Sequence, residues 1–126
     1  MTAFPIDLSG TRVLVVEDEY YLADDLCRAL ADAGAEVIGP IATLDEAERV
    51  VASERFDCAV VDMNLRGDAA FPLADRLDEA GVPFLIATGY NSVALPERLQ
   101  GRPRVEKPFD VRQIVAAIPP LIRPQG

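Results

Sequence analysis

The stretch Thr11-Arg-Val-Leu-Val-Val-Glu-Asp-Glu19 decides the fold. Its first six residues form a short run rich in β-branched side chains, long enough for a buried strand and too short for a helix. Three carboxylates follow with no alternation, so polarity changes abruptly where the strand leaves the core. Downstream, Leu22, Leu26, Ala29, Leu30 and Ala33 recur at helical spacing, and Gly34 marks the stop. A strand apolar on both faces, followed by an amphipathic helix, is the unit of a parallel sheet covered on both sides.

That unit repeats along the chain. Glu36-Val-Ile-Gly39 gives a second, weaker strand. Thr43 with Glu46 offers a capping box before a helix whose buried face is Leu44, Ala47 and Val51. Asp57-Cys-Ala-Val-Val-Asp62 is the third strand, apolar up to its last carboxylate. The helix after it carries Leu73, Leu77 and Ala80, tolerates Pro72 near its first turn and closes at Gly81. Pro83-Phe-Leu-Ile-Ala87 is the fourth strand and Arg104-Val-Glu106 a short fifth. Asp110 and Gln113 cap a last helix with Ile114, Ile118 and Leu121 inward, which Pro119-Pro120 should kink or end. Between Thr88 and Lys107 the pattern weakens. Ser92 to Gln100 has room for one short helix with Pro96 in its middle, so an irregular fourth helix is expected there.

Five strands alternating with helices predict an α/β chain with a five-stranded parallel, doubly wound sheet. A flavodoxin-like strand order is the usual solution, and it places the ligand site at the carboxyl ends of the strands.

Composition narrows the function. The 126 residues suit a single domain over 1–126 with a core from about 11 to 121, and 50% of them are apolar. A net charge of -9 and a pI near 4.4 repel nucleic-acid phosphates and favour a divalent cation or a basic partner surface. The chain has no His, which excludes imidazole bases, His metal ligands and a His phosphocarrier. Cys27 and Cys58 read as core thiols of a reducing compartment. No stretch approaches the roughly 20 apolar residues of a membrane span. Met1 to Gly10 lacks the pattern of a secretory signal. A cytoplasmic location, with neither membrane nor nucleic acid as partner, is expected.

The chemistry stands at the strand ends. The first strand delivers Glu17-Asp18-Glu19, the third Asp62, the fourth Thr88 and the fifth Lys107. In a parallel sheet these ends share one rim, which brings Glu17, Asp18 and Asp62 within a few ångströms. Two like charges about 4 Å apart repel by about 4 kcal/mol at an effective dielectric near 20. Such a cluster must protonate, separate or bind a cation, and an all-oxygen set selects Mg²⁺ before Ca²⁺ or Mn²⁺. Lys107 adds a fixed positive charge on the opposite side. A carboxylate between a metal and a lysine is poised to attack phosphorus, and Thr88 can donate a hydrogen bond to a phosphoryl oxygen. Taken singly, each residue has a plainer reading: Asp18 or Glu19 as a helix cap, Asp62 as a loop residue, Thr88 as a turn start, Lys107 as a surface lysine. Their joint occurrence at four strand ends, with nothing equivalent at the second strand, carries the weight.

Val15-Val-Glu-Asp-Glu19, Val60-Val-Asp-Met-Asn-Leu65, Ala87-Thr-Gly89 and Glu106-Lys-Pro-Phe109 occur in that order. Together they resemble the signature segments of receiver domains of two-component response regulators, over about Thr11 to Leu121. The resemblance implies that Asp62 is the nucleophile, taking phosphate from the phosphohistidine of a sensor histidine kinase or histidine phosphotransferase. It implies Asp18 as a direct Mg²⁺ ligand, Glu17 acting mainly through water, and Asp62 with the Asn64 carbonyl completing the protein ligands. Lys107 would pair with the phosphoryl group, Thr88 would move as the switch, and Lys107-Pro108 would be a cis peptide. Such a domain is a phosphoacceptor that catalyses only its own phosphorylation and dephosphorylation, and is not a turnover enzyme. The downstream protein partner is not specified by these residues.

Two positions depart from the common pattern. Arg104 stands where most receivers carry an aromatic residue on the fifth strand. Thr88-Gly-Tyr90, with Phe84 upstream, resembles the Phe-Ala-Thr-Gly-Tyr (FATGUY) subgroup, with Ile86 in the place of its Phe. In that subgroup Tyr90 would supply the missing aromatic, and the fourth helix is often poorly formed.

Other classes fit less well. An aspartyl-phosphate hydrolase of the haloacid-dehalogenase type needs a second carboxylate two residues after its nucleophile, where Asn64 stands. A flavodoxin-like cofactor binder needs a phosphate-cradling loop after the first strand, where Glu17-Asp18-Glu19 would repel the ligand. A degenerate receiver that switches without phosphate would not need Asp62, Asp18, Thr88 and Lys107 together. With the sequence closing shortly after the last helix, action through protein contacts is expected, as a relay intermediate, phosphate sink or allosteric partner. An output or kinase domain outside this sequence would change that.

Overall fold

The computed structural model describes residues 6–89 and 94–123. Five strands, β1 (Arg12–Val16), β2 (Glu36–Ile41), β3 (Cys58–Asp62), β4 (Phe84–Thr88) and β5 (Arg104–Glu106), form one sheet in the order β2-β1-β3-β4-β5. All four pairings are parallel. The helices are α1 (Tyr20–Asp32), α2 (Leu44–Ser53), α3 (Phe71–Glu79), α4 (Glu97–Gln100) and α5 (Val111–Ile122). The alternation of patterns predicted this doubly wound parallel α/β sheet, and its strand order is the flavodoxin-like one expected as the usual five-strand solution.

The two-residue period of the strands divides the core into two. Leu14, Val16, Ala59, Val61 and Ile86 face one layer, with Ala47 of α2, Leu73 and Leu77 of α3 and Leu99 of α4. Val13, Val15, Val60 and Leu85 face the other, with Leu26 and Leu30 of α1 and Ile114 and Ile118 of α5. Alternate residues of one strand therefore enter opposite cores, so the strands had to be apolar throughout.

Several boundaries differ from the sequence reading. β2 does not stop at Gly39 but runs to Ile41, with a register irregularity between the pairs Leu14–Ile38 and Val16–Ile41. Gly39 takes φ +115°, and the extra backbone of this bulge lets Ile41 rejoin β1. Both Gly39-Pro40 and Lys107-Pro108 are cis. At α2 only half of the expected box forms: the Thr43 hydroxyl accepts the Glu46 amide at 3.3 Å. At α5 the full box is present, with Asp110 accepting the Arg112 amide and Gln113 accepting the Asp110 amide.

Pro119 and Pro120 neither end α5 nor precede its last residue directly; the helix runs on to Ile122. They fall in the last turn, where only two amide donors are lost, and Pro119 itself accepts the Arg123 amide. Ala80 lies beyond the end of α3 and is exposed, while Leu73, Ala74 and Leu77 form its buried face. Cys58 is buried and Cys27 half-buried, and both thiols are free. Burial, with the neighbouring Asp57 charge, pushes Cys58 up to about 12; burial, with Asp24, pushes Cys27 up to about 11. Neither thiol is reactive at neutral pH. No helix among the described residues is long and apolar enough to cross a membrane.

Candidate functional site

β1 and β3 lie side by side with Val16 opposite Val61, so the residue after each strand segment emerges at the same height. Asp62 is the last residue of β3 and pairs with Ala87, which puts Thr88 one step further along the neighbouring strand. Thr88 in turn pairs with Glu106 on β5 and accepts the Lys107 amide at 2.7 Å. On the other side, the Ile41 carbonyl at the end of β2 accepts the Glu17 amide at 2.9 Å. Each functional position is thus fixed by a backbone bond to the adjacent strand end.

The side chains converge as the sequence predicted. One carboxylate oxygen from each of Glu17, Asp18 and Asp62 lies within 4.8 Å of the others. Lys107 Nζ sits 3.0 Å from both Glu17 oxygens and 3.0 Å from Asp62 Oδ2, with Glu19 Oε1 at 3.9 Å. Glu17 is 3% exposed, Asp62 4% and Thr88 9%. Asp62 Oδ1 accepts the Asn64 amide at 3.0 Å. The Thr88 hydroxyl makes no hydrogen bond within the described residues and remains uncommitted. Tyr90 lies outside the described residues. Arg104 is exposed on β5.

Electrostatics explain why the cluster wants a cation. Three buried or half-buried carboxylates face one ammonium. Burial and the charge of Asp62 push Glu17 up to about 7, against the help of the Glu19 amide and of Lys107. Burial alone would lower the Lys107 ammonium, but its hydrogen bonds to Asp62 and Glu17 outweigh it and hold it above its ordinary value. The donor set is all oxygen, compact and over-negative, which fits a hard divalent cation. The Glu17, Asp18 and Asp62 carboxylates are the groups that could hold it.

Sequence reasoning missed the element beside this pocket. After β3, Asn64–Leu65 and Asp68–Ala69 pair as an antiparallel ribbon. Its turn residue Arg66 donates its amide to Asp18 Oδ2 at 2.8 Å. The signal was the Arg66-Gly67 dipeptide, a tight-turn pair between strands too short to show alternation. Also unpredicted is the exposed pair Tyr20 and Tyr21, 75% and 80% exposed, at the start of α1 next to the acidic turn.

Comparison with known proteins agrees with this geometry. The family model described as response regulator receiver domain matches residues 13–119. A response regulator receiver protein of Anaeromyxobacter sp. (strain Fw109-5) is 36% identical over 113 residues, covering 88% of this chain and 45% of that protein. The chain spans about half the length of the curated relatives it matches. Among solved structures, SdrG from Sphingomonas melonis Fr1 is 30% identical with a TM-score of 0.70, covering 89% of this chain and 96% of that one. The non-phosphorylated HemR receiver domain from Leptospira biflexa is 27% identical with a TM-score of 0.76, covering 92% and 97%. With the match to the family spanning most of the sheet and helices, the chain belongs to the response regulator receiver domain family.

Proposed function

We propose that Asp62 accepts a phosphoryl group from the phosphohistidine of a sensor histidine kinase or histidine phosphotransferase. The observation that carries this reading is the position of Asp62: buried, 3.0 Å from Lys107 and within a three-carboxylate cluster suited to Mg²⁺. An Asp62 oxygen attacks phosphorus, the P–N bond breaks, and its electron pair stays on the imidazole nitrogen, which takes up a proton. The product is an acyl phosphate, which water later cleaves to free phosphate and the original carboxylate. Lys107 balances charge on the phosphoryl oxygens, and the uncommitted Thr88 hydroxyl is available to donate to one of them. Asp18, Asp62 and the Asn64 carbonyl, with Glu17 acting through water, would hold a Mg²⁺, which would supply charge neutralisation for the incoming phosphoryl group.

The chain then acts as a cytoplasmic signalling switch whose only chemistry is its own phosphorylation and dephosphorylation. The receiver unit passes the signal on by switching its protein contacts. The FATGUY subgroup is the finer assignment. Supporting it are the segment Ile86-Ala-Thr-Gly89, the exposed Arg104 where an aromatic is usual, and an α4 of only four residues. In that reading Tyr90 takes the aromatic's role in the switch.

The test is intact-mass measurement after incubation with acetyl phosphate and Mg²⁺. Wild type should gain one phosphoryl group, and chelator should block the gain. Asp62→Asn should show none; stoichiometric labelling of that variant would reject Asp62 as the acceptor.

A further inference from the structure

The ribbon after β3 holds a non-glycine residue in the left-handed region. Arg66 has φ +52° and Gly67 φ +89°. Both central residues of a two-residue turn at positive φ is the type I′ arrangement, which favours Asn or Gly over arginine at the first position. Despite that disfavour, the arrangement has a result within the pocket. The Arg66 amide reaches Asp18 Oδ2 at 2.8 Å, linking residues 48 apart in sequence.

The turn is braced on every side. The Asn64 side chain accepts the Gly67 amide at 3.0 Å, while the Asn64 amide donates to Asp62 Oδ1 at 3.0 Å. Leu65 is 1% exposed and roots the ribbon in the core. Ala70 donates to the Met63 carbonyl at 2.9 Å and closes the base. One small ribbon therefore holds an oxygen of Asp62 and an oxygen of Asp18 through two amides two residues apart. The Arg66 guanidinium, by contrast, pairs with no carboxylate among the described residues, although the rim is acidic; its residue is exposed.

We propose that Arg66 is a positioning residue for Asp18, acting through its backbone amide and the turn conformation and not through its charge. The bond fixes one oxygen of the Asp18 carboxylate and with it the orientation in which that group meets the cation pocket. Partners that orient a metal-binding carboxylate are worth about tenfold or more in affinity. The inference rests on the reading of Asp18 as a cation ligand, and its test separates the two.

Three variants suffice. Arg66→Asn removes the charge but keeps the amide and tolerates positive φ. Gly67→Val opposes the turn conformation, because φ +89° is strained for a β-branched residue, and a Cβ at Gly67 meets nothing within 4 Å. Gly67→Ala is a milder version if the valine variant folds poorly. In ¹⁵N-labelled full chain, two quantities are read: exchange protection of the residue-66 amide without metal, and the Mg²⁺ dissociation constant from amide shifts. Arg66→Asn should keep the protection and bind Mg²⁺ within about twofold of wild type. Gly67→Val, or Gly67→Ala in proportion, should lose the protection and weaken Mg²⁺ roughly tenfold, with the remaining amide spectrum intact. Tenfold weakening in Arg66→Asn with protection kept would overturn the proposal, as would lost protection in Gly67→Val with unchanged Mg²⁺ affinity. A protected amide in a wild type that binds no Mg²⁺ would overturn it through the cation reading, showing a brace without a metal to serve.

Discussion

At Gly39 an added Cβ would meet the Val15 carbonyl oxygen at 2.6 Å and the Ile41 amide nitrogen at 2.9 Å. Both are backbone atoms, so nothing cheap can move aside. The residue also needs φ +115°. The consequence reaches the pocket, because the bulge at Gly39 sets where Ile41 stands, and the Ile41 carbonyl holds the Glu17 amide. Gly39→Ala combines a left-handed backbone with a backbone clash and should destabilise the fold by about 2 kcal/mol or more. Urea denaturation against wild type measures this, and an unchanged midpoint would show that the bulge is not needed. The meeting of Asp62 and Lys107 could be read from residue type and position, because Asp62 closes an apolar run and Lys107 follows the fifth strand at the same rim. Gly39 could not, because its reason lies in an oxygen of the neighbouring strand.

Elements divide along the same line. Where a helix or strand buries one face, its period is written in the apolar residues, as with Leu26, Leu30 and Ile118. The ribbon at Asn64–Ala69 buries only Leu65 and has two-residue strands, so no period exists to read. α4 keeps a single buried anchor, Leu99, and starts after Pro96, which serves as its N-cap instead of interrupting it. At α5 the prolines predicted a kink or a stop, and the stop does not occur: Ile114, Val115 and Ile118 anchor the preceding turns firmly enough to carry the helix past them. Tertiary packing there overrides local propensity. If so, the prolines are tolerated and not useful to the helix. Pro119→Ala with Pro120→Ala restores two amide donors, and the gain in helix propensity should exceed the added freedom of the unfolded chain. The double variant should gain roughly 1–2 kcal/mol. A thermal melt showing loss of stability would mean that the two rings make a contact that alanine cannot replace.

For the whole molecule, the pocket stores a charge imbalance that folding must hold together, and pH exposes it. Glu17 faces Asp18 and Asp62 as like charges and Lys107 as its counter-charge, with Glu19 at the rim. Burial first, then Asp62, raise its folded value from 4.5 to about 7, so the folded chain holds this proton more tightly than the unfolded chain. A raised value contributes stability that is complete below about 4.5 and lost as pH rises through 7. The shift bounds the effect at about 3 kcal/mol. Other shifted groups act elsewhere. Hydrogen bonds from Arg112 lower Asp110 to about 2, and Ser9 lowers Asp7, so both matter only in acid. Lys107 and the two cysteines act in alkali. Between pH 4.5 and 7, general relief of the net charge of -9 also stabilises the acid side, but wild type and Glu17→Gln share it. With chelator present, wild type should therefore gain stability on acidification across this window more steeply than Glu17→Gln. Equal slopes in chemical denaturation at pH 5, 6 and 7 would show that the pocket's strain lies on another group. A steeper wild-type slope that Mg²⁺ flattens would show that the cation relieves the repulsion that the proton otherwise neutralises.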